Sequence, residues 1–116
     1  MGIGPAGPEY VTNQTLLEIA RIPRRFLRTA QHPSAQVVAD AVTFDEVYEA
    51  GETFDDVYLT IVDRLVDAAI AHGEVLYAVP GSPLILERTV RMLLDDPRVE
   101  CIVHPAMSFL DIAYAR

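Results

Sequence analysis

Three short stretches of this sequence have the residue types of ligand-holding turns: Gly4-Pro5-Ala6-Gly7-Pro8, Pro80-Gly81-Ser82-Pro83 and Pro105-Ala106-Met107-Ser108. Glycine lets a ligand approach the backbone, and N–H groups at the start of a helix can receive a carboxylate or polar edge. One such stretch is a weak signal, since tight turns use glycine and proline for geometry alone. Three that each follow an apolar, strand-like run carry more weight. In an open α/β sheet such turns gather at the carboxyl edge of the strands, where ligands bind. The first stretch is not a phosphate loop: it lacks G-x-G-x-x-G spacing, and a chain without lysine has no Walker lysine.

Side chains for acid–base or metal chemistry are sparse. His32, His72 and His104 fall at a loop, a helix end and a strand end, with no two at metal-ligand spacing. His72 suits a helix C-terminus, and His104 suits an edge residue with its hydrogen bonds satisfied. Ser82 and Ser108 suit caps better than nucleophiles, because no G-x-S-x-G elbow surrounds either. Asp111, one helical turn after Ser108, reads as a local polar pair. No pair of carboxylates is specific enough to imply hydrolysis. The pattern favours chemistry in which a bound cofactor carries the reactive group and the protein positions it, as in methyl transfer from a sulfonium.

The elements that must position these turns fit one compact domain of 116 residues. Apolar residues make up 51% of the chain, above the usual globular share. That excess predicts strands covered on both faces, or a surface that meets a partner. Charge interrupts every apolar run well short of the ~20 residues a membrane helix needs. The opening residues have neither the basic start nor the apolar core of a secretory signal. The net charge of −8 argues against a nucleic-acid partner. All nine cationic residues are arginine, and Arg21, Arg24, Arg25 and Arg28 form the one basic cluster, read as a solvated face. Cys101 has no internal disulfide partner, which predicts a reduced, buried thiol in a cytoplasmic protein.

Apolar runs alternate with helical patterns, as in repeated β-α-β units. Residues 1–4 read as the tail of a first strand, 25–29 and 42–44 as short strands, 74–79 as a central parallel strand and 98–104 as another buried strand. Thr12 is placed to cap a helix reaching Ala20, with Leu16, Leu17 and Ala20 as its apolar face. A helix over 33–41 is predicted from Val37, Val38 and Ala41. The clearest helix spans 54–71: Phe54, Val57, Tyr58, Ile61, Leu65 and Ala69 keep helical spacing. Thr53 and Asp56 frame its start as a capping box, and Gly73 supplies its left-handed stop. Ser82 followed by Pro83 predicts a helix running to Leu94, and 107–115 reads as a final helix. The acids Asp45, Glu46, Glu49, Glu52, Asp55 and Asp56 lie across a loop and a helix start.

Taken together, the three turns resemble those of the tetrapyrrole (corrin/porphyrin) methylase family. The stretch from Gly2 to Thr12 resembles that family's G-x-G-P-G-D/N-P-x-x-x-T loop, Tyr77-Ala78-Val79-Pro80-Gly81-Ser82-Pro83 its glycine-proline turn, and Val103-His104-Pro105-Ala106-Met107-Ser108 its Pro-Gly-x-Ser turn. Phe26-Leu27-Arg28-Thr29 with His32-Pro33, Phe54 with Val57-Tyr58, Glu87-Arg88-Thr89-Val90 and Ser108-Phe109-Leu110-Asp111 are similar to the branch fused to MazG-type nucleoside triphosphate pyrophosphohydrolases. Ala6 and Ala106 stand where the family has glycine, Gly7 where it has Asp or Asn, and Ser82 where its biosynthetic enzymes have Asp.

The resemblance implies an α/β, Rossmann-like three-layer unit with a mainly parallel sheet of about five strands. It makes residues 1–116 the amino-terminal, cofactor-side subdomain, with the carboxy-terminal subdomain absent and the piece inactive alone. S-adenosylmethionine would be held by Gly4, Pro5, Pro80, Gly81, Ser82, Pro83, Pro105, Met107 and Ser108. The implied partners are the other methylase subdomain, a fused pyrophosphohydrolase domain and a second copy in a homodimer. Two other readings stay open: a non-catalytic regulatory or dimerisation module of such a pyrophosphohydrolase, and a free-standing flavodoxin-like domain.

Overall fold

The computed structural model describes residues 1–84 and 87–108. Three strands, β1 (Arg25–Leu27), β2 (Val42–Thr43) and β3 (Leu76–Ala78), form a parallel sheet in the order β2-β1-β3. Four α-helices join them: α1 (Asn13–Arg21), α2 (Asp45–Ala50), α3 (Phe54–His72) and α4 (Arg88–Asp95). Side chains of a strand alternate between its faces, and the sequence 76–79 shows the consequence. Leu76 and Ala78 join Ile3, Ile19, Ile22, Leu27 and Val38 on the side covered by α1. Tyr77 and Val79 join Phe26, Phe44, Val57, Ile61 and Leu65 on the side covered by α2, α3 and α4. Helices therefore cover both faces, and β3 is buried throughout.

Among the described residues the sheet has three strands rather than about five. Residues 1–4 do run beside β3: Met1 N donates to Tyr77 O at 2.9 Å, Val79 N to Met1 O at 2.9 Å and Ile3 N to Val79 O at 3.0 Å. They make isolated bridges instead of a strand, because Gly4 turns the chain away with φ +80°. The segment 98–104 is not a strand. Among the described residues one backbone bond ties it to the sheet side, Gly2 N to His104 O at 3.3 Å, and Pro97 and Pro105 on its flanks have no N–H to extend a ladder.

Local signals explain most of the helices. Thr12 and Thr53 cap α1 and α3 by accepting the N–H of Thr15 and Asp56, both at 3.2 Å. Gly73, at φ +83°, ends α3. The buried face of α1 is Thr15 and Ile19, while Leu16 and Leu17 are exposed. Thr15 turns inward because its hydroxyl reaches Gly2 O at 3.5 Å.

Two predicted helices shrink and one is new. Over 33–41 there is only a 3-10 turn, Ala35–Val37, since Ser34 gives its hydroxyl to Ala6 O. The helix expected from Ser82 begins at Arg88, because Ser82 Oγ accepts the N–H of Leu84, two residues on, in place of a capping bond. The acids at 45 and 46 stabilise the first turn of α2. The predicted helix 107–115 and Asp111 lie outside the described residues, apart from Met107 and Ser108, which are not helical.

Candidate functional site

The three turns meet. Gly4 and Gly81 exchange backbone hydrogen bonds, Gly81 N to Gly4 O at 2.7 Å and Gly4 N to Gly81 O at 3.2 Å. Beneath them Gly2 is packed so closely that a Cβ there would run into Gly81 O, Ala106 Cβ (2.7 Å) and Pro83 Cδ (2.8 Å). Gly2 thus packs against the second and third turns, the Gly4–Gly81 bridge ties the first turn to the second, and the stretches bearing Pro5, Gly81 and Pro105 share one rim. Pro5 and Pro80 are half-buried, Ser82, Pro83 and Ser108 are buried, and Pro105 and Met107 are exposed.

The glycines differ in what they provide. Gly4 is at φ +80° with Tyr10 Cβ and O each 3.1 Å from where its Cβ would be, so it makes the turn and leaves no room. Gly81 is at φ +68° with nothing within 4 Å of that point, so its backbone faces open space. Asp40 is the one non-glycine residue with positive φ among those described. Ala6 and Ala106 therefore occupy their turns without the left-handed strain that would demand glycine.

The first turn rests on the loop after β1. Buried Ser34 donates to Ala6 O at 2.7 Å, and its N–H donates to His32 Nδ1 at 3.1 Å. With Nδ1 accepting, the ring proton sits on Nε2, and the ring hydrogen-bonds the backbone of Gly4. Burial holds the His32 imidazole below its ordinary value; the bond to Gly4 opposes this and the charge of Arg28 adds to it. Folding thus resists a proton that the unfolded chain accepts. Stability is undiminished above about pH 6.5 and falls as pH drops below it. Urea titrations from about pH 7 to about pH 5 should show the wild type losing more stability than His32→Gln; parallel losses would contradict this.

Beside this rim runs a chain of polar side chains that the sequence did not single out as a site. Tyr77 Oη lies 2.8 Å from Thr89 Oγ1, which donates to Glu87 Oε1 at 2.8 Å. Glu87 Oε2 lies 3.3 Å from Arg28 Nε, and Arg28 Nη1 donates to Tyr48 Oη at 3.4 Å. Tyr77, Thr89 and Glu87 are buried, and burial pushes the Tyr77 hydroxyl far up, so it stays neutral. Arg28, Glu87 and Thr89 lie within stretches that carry the family resemblance, yet nothing in their spacing shows that they converge. Two other arginines of the basic cluster are engaged elsewhere: Arg25 binds the carbonyls of Ile19, Ile22 and Ala39, and Arg21 pairs with Glu18 and Glu74.

No group of His, Cys, Asp or Glu among the described residues could hold a metal ion. Cys101 donates to Leu93 O at 3.5 Å, and burial pushes its thiol up, away from reactivity. His104 is not the satisfied edge residue expected: its Nδ1 is buried without a hydrogen-bond partner among the described residues. A groove of about 740 Å³ lies beside Val75, Leu76 and the 98–104 segment, and Pro83 is the single candidate residue that lines it. No described helix is long and apolar enough to cross a membrane.

No protein-family model matches the chain. It is 30% identical over 121 residues to the uncharacterised protein YabN of Bacillus subtilis, a match that covers 98% of this chain and 24% of that protein. The chain thus spans about a quarter of the relative's length. Among solved structures it is similar to uroporphyrin-III C-methyltransferase of Thermus thermophilus in complex with S-adenosylhomocysteine, with a TM-score of 0.69 and 19% identity over 98% of this chain and 49% of that one. The native form of the Thermus enzyme gives a TM-score of 0.71 with 22% identity, covering 98% of this chain and 46% of the other. A parallel sheet covered by helices on both faces is accordingly the fold that this chain shares with about half of a uroporphyrin-III C-methyltransferase.

Proposed function

We propose that this chain is the S-adenosylmethionine-holding wall of a methyltransferase of the tetrapyrrole methylase type. The observation that carries the proposal is the meeting of the three turns around Gly2 and the Gly4–Gly81 bridge. The residues fit such a group. Gly81 leaves open space over a left-handed backbone, Ala6 and Ala106 are unstrained, and Ser82 and Ser108 bring polar side chains to the rim. When bound, S-adenosylmethionine supplies an electrophilic methyl group on a sulfonium. This chain's part is to hold and orient it through Gly4, Pro5, Pro80, Gly81, Ser82, Pro83, Pro105, Met107 and Ser108. The scarcity of strong acid–base side chains suits that role, because positioning lowers the barrier of such a transfer.

The similarity to about half of the Thermus enzyme supports a second subdomain as the facing wall. The protein acts on this reading as a cytoplasmic homodimer, and the chain by itself is inactive. Calorimetry with S-adenosylhomocysteine on the longest polypeptide carrying this chain tests the proposal; absence of heat at millimolar ligand would refute it. Gly81→Ala should cost about 1 kcal/mol of stability through its positive φ. It should weaken S-adenosylhomocysteine at least about tenfold, because its methyl group would stand where the ligand lies. Unchanged affinity in that variant would remove Gly81 from the site.

A second reading is a regulatory or dimerisation module of a MazG-type nucleoside triphosphate pyrophosphohydrolase. What favours it is the YabN match, which leaves about three quarters of that protein outside the aligned region, together with the substituted turns. Deleting the module from the longer protein would change pyrophosphohydrolase rate or oligomeric state if it is right, and neither if it is wrong.

A further inference from the structure

Arg28 is where the buried polar chain reaches the rim, and it is the member left incomplete. Its backbone N–H continues the sheet by donating to Ala78 O at 3.0 Å, which places the residue at the carboxyl end of β1. A guanidinium has five N–H groups. Of these, Nη1 donates to Tyr48, while Nε is buried with no hydrogen-bond partner among the described residues despite lying 3.3 Å from the Glu87 carboxylate. The side chain keeps 29% of its exposure, whereas that of Glu87 keeps 8%. Glu87 is fixed from behind by Thr89, and Thr89 by Tyr77.

Tyr48 and Glu87 restrain the guanidinium through Nη1 and Nε, while Nη2 has no partner among the described residues, so the two Nη groups can meet a planar oxyanion end-on with two parallel bonds. Other arginines are already committed: Arg98 holds Asp96 and Asp63, Arg21 holds two glutamates, and Arg25 holds three carbonyls. In a chain of net charge −8, a partly buried cation with spare donors beside the ligand rim is a specific feature and not a general anion trap.

We propose that Arg28, seated by Tyr48 and Glu87, is the anchor that binds a carboxylate or phosphate group of the methyl acceptor. This inference rests on the methyltransferase reading for the word acceptor, but the anion site itself can be tested without it. The test follows the ¹⁵N side-chain Nε–H resonance of Arg28 while inorganic phosphate, and separately acetate, is titrated at constant ionic strength. The signal is expected to move to saturation in the millimolar range, and the tighter of the two probes names the group recognised. Arg28→Gln should abolish binding, while Arg28→Lys, which keeps the charge opposite Glu87 but loses the fork, should weaken it about tenfold.

S-adenosylhomocysteine binding measured on the same variants keeps the two readings apart. Loss of anion binding with cofactor binding intact supports the assignment of Arg28. A resonance that does not respond to either anion, or equal affinity in Arg28→Gln, overturns it whatever the cofactor does. Failure of S-adenosylhomocysteine to bind wild type, with the anion response intact, counts against the methyl-donor reading alone.

Discussion

A methyl group added to Gly2 is expected to drive the three turns apart. Gly2→Ala would place its Cβ against Gly81 O, and within 3 Å of Ala106 and Pro83, none of which lies on a flexible side chain that can swing away. Overpacking of this kind costs about 1–3 kcal/mol, and the rigidity of these neighbours sets the expectation at the upper end. The effect on ligand binding should be larger in proportion than the effect on stability, because the displaced atoms are the turns themselves. Equilibrium urea unfolding and calorimetry with S-adenosylhomocysteine on the same samples would separate the two. A variant with full stability and full affinity would mean that the contact at Gly2 does not hold the rim together.

Phe44→Ala should destabilise the fold by about 3–5 kcal/mol, a large share of the 5–15 kcal/mol by which a typical domain is stable. Phe44 is fully buried at the end of β2, where it stacks on Phe26 at 5.6 Å and meets Tyr77 edge-on at 5.9 Å. Its backbone is also committed: its N–H donates to Leu27 O and its carbonyl accepts from Val47 and Tyr48. Phe44 therefore joins β2 to α2 and lays the floor on which Tyr48 and Tyr77 stand. Truncation leaves a cavity under the polar chain as well as a loss of buried area. Denaturant titration should show the midpoint falling sharply; a loss below about 1 kcal/mol would show that the aromatic layer is not the core of that face.

How far the molecule can be read from its sequence depends on whether the deciding contact is local. Helix α3 was legible because Thr53, Gly73 and the spacing of Val57, Ile61 and Leu65 all lie within it. The turns were legible as turns for the same reason, and their meeting followed from the rule that turns of a parallel sheet collect at one edge. Where the sequence misled, a side chain had been drawn into a contact it could not announce. Ser82 reads as a helix cap, but its hydroxyl is taken by Leu84 N–H, and Ser34 is held by Ala6 across 28 positions. Helix α2 has six residues and one buried position, too little for a period to register.

The chain from Tyr77 to Tyr48 was invisible for a related reason. It crosses from β3 through the start of α4 to β1 and α2, so its members are scattered through the sequence. Burial is what makes the chain consequential, since buried polar groups are retained only when they hold one another.

The most direct test follows backbone amides of this chain during titration with S-adenosylhomocysteine to several millimolar. The amides of Gly4, Gly81, Ser82, Met107 and Ser108 should shift together along one binding curve, with α3 unmoved. Shifts centred on the groove beside Val75 and Leu76, or none along the rim at all, would contradict the assignment of the three turns as the wall that holds the methyl donor.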